Sequence, residues 1–73
     1  MARLIAFGQA LLAMNSLGLL EVKNGAGTIS LENGKPSVLD PAKLTKLDMH
    51  QMVTLNNTGR QPLVLQLYLF EAK

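Results

Sequence analysis

The sequence predicts a mainly β domain, a small antiparallel sandwich or barrel-like unit of about four to six strands with an apolar N-terminal helix or extended arm. Three observations predict it. Leucine takes every second position from Leu63 to Leu69, the period of a strand. Two Asn-Gly pairs, Asn24-Gly25 and Asn33-Gly34, offer the positive-φ positions that tight hairpin turns require. Residues 1–20 carry a single charge, Arg3, and repeat apolar residues at three- and four-residue steps.

Seventy-three residues allow one domain, 1–73, read as an apolar segment over 1–20 and a β unit over 21–73. A chain this short buries only roughly 60% of its unfolded surface, so disulfides, a metal or oligomerisation usually support it. The absence of cysteine removes disulfides and the commonest structural zinc ligands. Oligomerisation is the remedy left. Charged residues make up 16% of the chain, against about 25% in typical domains, although a small domain has more surface to cover with charge. Sister subunits, a larger partner or lipid therefore cover part of the surface. The seven Lys/Arg and five Asp/Glu give a net charge of +2 but form no run of like charge.

In the first segment, Leu4, Phe7, Leu11, Met14 and Leu17 suit one face of a helix. Gly8 opposes it, at a cost of about 1 kcal/mol relative to Ala, and leaves open an extended arm or a strand lying on a neighbour. Gln9 breaks the core of a signal peptide, and Gln9, Asn15 and Ser16 would place polar groups in hydrocarbon, so neither export nor membrane spanning is the favoured reading.

Residues 21–39 read as a hairpin turning at Asn24-Gly25, with a second turn at Asn33-Gly34 and an irregular or edge strand after Pro36. Asp40-Pro41-Ala42-Lys43 has the order of an N-cap followed by proline, hence one helical turn or a corner between two sheet regions. From Leu47 to Leu55 one strand is expected, with Leu47, Met49, Val53 and Leu55 on one face, Gln51 the exception, and Asp48, His50, Met52 and Thr54 on the other. Asn56-Asn57-Thr58-Gly59 begins a loop. In the last strand, Leu63, Leu65, Leu67 and Leu69 form the core face, while Val64, Gln66, Tyr68 and Phe70 make the opposite face mostly apolar too. A strand apolar on both faces in so small a domain points to an interface.

The chain is poor in reactive chemistry. One histidine, His50, and no serine in an elbow-like setting give no nucleophile–base pair. Glu21, Glu32, Asp40, Asp48 and Glu71 each sit at a turn, a strand end or beside a lysine and read as solvated charges. Asp48 and His50 share a strand face in this reading, but two ligands are too few for a metal. Gly25-Ala26-Gly27 and Gly34-Lys35 fit neither phosphate-loop pattern. The Asn56-Asn57-Thr58 sequon matters only in a eukaryotic secretory setting.

No enzyme activity, cofactor or metal is expected. The favoured expectation is a structural or assembly subunit that oligomerises or docks on a larger assembly, such as a capsid decoration or cement protein. Its partners are then copies of itself or a capsid shell, and its location the virion; otherwise the compartment is unassigned. Leu4, Phe7, Leu11, Val64, Tyr68 and Phe70 are the interface candidates. Two alternatives are a small β-barrel nucleic-acid-binding module, which needs Lys43, Lys46 and Arg60 on one face, and a membrane-associated subunit with residues 4–20 in lipid.

Overall fold

From Ala2 to Val22, every buried apolar strand residue has an even number, and beyond Gly27 every one has an odd number. A register shift between Val22 and Asn24, with one extra residue on β3, falls where this phase changes. The computed structural model describes residues 2–32 and 34–70, and this alternation runs through all of its longer strands.

The strands are β1 (Ala2–Ala6), β2 (Gln9–Ala13), β3 (Leu17–Asn24), β4 (Gly27–Leu31), β5 (Ser37–Val38), β6 (Thr45–Leu47), β7 (Met52–Asn57) and β8 (Leu63–Phe70). They form two four-stranded antiparallel sheets, in the orders β1-β8-β3-β6 and β2-β7-β4-β5. First strand pairs with last, second with seventh, third with sixth, and fourth with fifth. The chain is thus one long hairpin, tipped at β4–β5, rolled into a sandwich. Only the β4–β5 link stays within a sheet. This is the strand order of a jelly roll.

The inner faces meet in one core in which Leu20, Leu47, Leu55, Leu63, Leu65 and Val53 are fully buried. Burying each of these side chains contributes roughly 1.5–3 kcal/mol. A Cβ on Gly18 would lie 2.8 Å from Met14 Cε and 3.2 Å from the Tyr68 carbonyl oxygen, so a side chain there would require the Met14 side chain to shift.

Four expectations are corrected. Residues 2–20 are neither helix nor arm, but strands of both sheets, because Ala2, Leu4, Ala6, Ala10, Leu12 and Met14 all point inward. The apolar odd-numbered residues Ile5, Phe7 and Leu11 disguise that alternation as a helical stripe. No helix long and apolar enough to cross a membrane is present among the described residues. Second, the strands number eight among the described residues instead of four to six, since this segment supplies β1, β2 and the start of β3.

Third, Asn24-Gly25 does not close a hairpin. It turns the chain from β3 in one sheet to β4 in the other. Gly25 has φ 87°, and a Cβ there would meet the Pro62 carbonyl oxygen at 2.6 Å. The Asn33 half of the second pair lies outside the described residues, while β4 and β5 do pair. Fourth, the strand expected over 47–55 is two strands. A corner separates them, where Gln51 Oε1 accepts the Asp48 amide at 2.9 Å and His50, at φ 64°, donates its amide to the Met14 carbonyl at 2.8 Å. Leu47, Val53 and Leu55 face inward as expected, but Met49 is exposed on the corner.

The corner read at Asp40-Pro41 is present and joins β5 to β6. Asp40 Oδ1 accepts the Ala42 amide at 2.9 Å and its carbonyl accepts that of Lys43 at 3.0 Å.

Candidate interaction surfaces

On the outer face of the first sheet, the register sets side chains in rows. Phe70 stands beside Leu17, and Tyr68 beside Leu19 and then Lys46. Gln66 lies between Arg3 and Glu21, and Val64 between Ile5 and Asn24. Two apolar bands are therefore divided by a polar row. Within it, the Tyr68 hydroxyl donates to Glu21 Oε1 at 2.8 Å, and Lys23 Nζ lies 3.3 Å from the same oxygen. The Tyr68 hydrogen bond, seconded by Lys23, holds the Glu21 carboxyl below its ordinary range, and the same carboxylate pushes the Tyr68 phenol up.

The edges differ more than the faces. On one side of the sandwich β5 has two residues, follows Pro36 and flanks the second sheet, while β6 has three residues and carries Lys46 beside Asp48. Short, proline-led or charged edges resist strand addition. On the other side lie β1 and β2, five residues each, without proline or bulge, and with Arg3 their one charge.

Phe7 and Leu11 are 79% and 70% exposed along this edge, with Ile5 half exposed. Asn57 fixes the β1–β2 corner. Its Nδ2 donates to the carbonyls of Ala6 at 3.1 Å and Gln61 at 2.8 Å, and its Oδ1 accepts the Gly59 amide at 2.9 Å. Its own amide donates to the Gly8 carbonyl at 2.9 Å. Phe7 is held outward between two anchored neighbours.

A search of protein-family models, curated proteins and solved structures found no match to this chain.

Five of the six interface candidates fall into two surface groups. Phe7 and Leu11 are on the β1–β2 edge, while Val64, Tyr68 and Phe70 share the outer face of β8. Leu4 points inward and packs partly buried against the core. The outer face of the second sheet presents Gln9, Leu11, Ala13, Met52, Thr54, Asn56, Thr28, Ser30 and Val38, with no charged residue.

Among the described residues there is no pocket and no group of three or more side chains able to hold a metal. Asp48 and His50 do not share a strand face, because they lie on the corner between β6 and β7. Lys46 sits on β6, Lys43 in the preceding loop and Arg60 in the β7–β8 loop. Glu71 lies outside the described residues. Sequence reading missed Asn57 as the corner anchor and Ile5 as a surface residue. The available signal for the first was an asparagine two residues before Gly59, the spacing of an Asx turn.

Proposed function

We propose that this chain is a non-enzymatic structural subunit that works by assembly, of the kind that decorates or cements a virion shell. The observation that carries this reading is the β1–β2 edge. Phe7, at the β1–β2 corner, and Leu11, on β2, stand exposed along an edge whose strands carry one charge, Arg3, and no proline or bulge, where a solitary soluble domain invites unwanted pairing. The apolar bands around Tyr68 and Phe70 add a second surface of the same character. The jelly-roll strand order recurs in viral capsid domains and supports the virion reading by analogy. It recurs equally in lectins and cupins, so the fold alone does not choose among them. The uncovered edge favours assembly.

The test is the mass of the purified chain in detergent-free buffer, by light scattering after gel filtration. A defined oligomer is expected. A monomer at every concentration overturns self-assembly.

A further inference from the structure

The hydrogen-bonding direction of β2 follows from the contacts at its two ends. The Met14 amide donates to the Gln51 carbonyl at 2.9 Å, and the Asn57 amide donates to the Gly8 carbonyl at 2.9 Å. Residues of an antiparallel strand bond alternately to one side and the other. Ala10 and Leu12, sharing the parity of Gly8 and Met14, therefore bond to β7. Gln9, Leu11 and Ala13 turn their N–H and C=O groups to the edge that no strand pairs among the described residues.

We propose that β2 pairs with β2 of a second copy, antiparallel about a two-fold axis at Leu11, joining two four-stranded sheets into one of eight strands. The proposal deepens the assembly reading and rests on it. In this register Leu11 faces Leu11 of the second copy, while Gln9 faces Ala13 and Ala13 faces Gln9. All three are residues whose main-chain groups point outward, so the whole free ladder of each copy is satisfied.

The side chains match as well. On the outer face the two exposed Leu11 residues cover each other, flanked by Gln9 against Ala13. On the inner face Ala10 opposes Leu12, small against large.

Charge and closure favour a second copy over another kind of partner. None of the strand residues on the outer face of this sheet is charged, so two copies bring no like strand charges together there, despite a net charge of +2 each. The far edge of the sheet is the two-residue β5 after Pro36, which is too short to propagate the pairing. Growth stops at the two-fold pair along this sheet.

Single-cysteine variants of the full chain test the register, since the chain has no cysteine of its own. In Leu11→Cys the paired Cα atoms come to about 5.5 Å, inside the disulfide range, so oxidation yields a covalent dimer. In Gln9→Cys the cysteines lie four residues out of register, roughly 13 Å apart along the strands, and do not cross-link. Mixing Gln9→Cys with Ala13→Cys restores cross-linking.

A second pair of variants reads the association itself. Leu11→Lys and Leu11→Glu, each checked for native circular dichroism, are monomers alone and form a heterodimer when mixed.

Equal cross-linking of Gln9→Cys and Leu11→Cys, or an unchanged oligomer mass in Leu11→Lys, overturns β2 pairing and leaves the assembly reading standing. A monomeric wild-type chain overturns both β2 pairing and self-assembly.

Discussion

Asn57 reaches across 51 positions of sequence to donate a 3.1 Å hydrogen bond to the carbonyl of Ala6. With its bonds to Gln61 and Gly59, the one side chain ties the β1–β2 corner to the β7–β8 loop. Replacing it by Ala strands these partners, and the expected loss is about 1–3 kcal/mol in urea unfolding. Asn57→Asp keeps the acceptor for Gly59 but loses both donations, so it should recover only part of the loss. Full stability in Asn57→Ala would show that the corner is held by its backbone alone.

Leu65 and Leu67 are 0% and 4% exposed at the centre of β8. Truncating either to Ala should lower stability by about 2–5 kcal/mol, a large share of the roughly 4–11 kcal/mol available to a domain of this length. Leu69, on the same face but 47% exposed, should cost about 1 kcal/mol. Thermal melts of the three variants check the order. An unchanged melting temperature in Leu67→Ala would contradict the central place of β8.

The Tyr68–Glu21 hydrogen bond should show in titration. Tyr68 is the only tyrosine and there is no tryptophan, so phenolate absorbance reports this one group. Because its pKa is raised by Glu21, the midpoint should lie above the ordinary 10.0 and fall back toward it in Glu21→Gln. The stability consequence has two limits. The phenol's contribution is complete below 10.0 and is lost as pH rises through the raised folded value. The carboxylate's is complete above 4.5 and is lost as pH falls through the lowered folded value. Stability relative to Tyr68→Phe should thus be greatest between these limits.

Two corner positions depend on left-handed backbone. Gly25→Ala adds a Cβ at positive φ against the Pro62 carbonyl and should cost about 1–3 kcal/mol. His50 holds φ 64°, a conformation histidine tolerates better than branched residues. His50→Val should therefore lose about 1–3 kcal/mol, while His50→Asn stays near the parent. Equal stability of the Val and Asn variants would show that the corner relaxes.

Much of the fold was legible in the sequence, but unevenly. Strand β8 was readable to the residue because its core face is all leucine, and the Asp40-Pro41 corner because its signal is a local side-chain-to-backbone bond. The N-terminal strands were hidden by apolar residues on their outer faces. Ile5, Phe7 and Leu11 erase the contrast on which period-two reading depends. The 47–55 region misled for a related reason, since its alternation continues in phase through a corner made by Gln51 and His50.

The sequence by itself determined the class, a mainly β chain with an apolar surplus, because alternation and composition are properties of neighbouring residues. Only the tertiary structure decided which sheet each strand joins. That choice depends on pairings such as β1 with β8 and β2 with β7, between segments dozens of residues apart. The same pairings leave β1 and β2 as the long open edges, and so turn Phe7 and Leu11 from members of an apparent stripe into an exposed surface. A side chain's period is local, whereas its exposure depends on what the rest of the chain brings beside it.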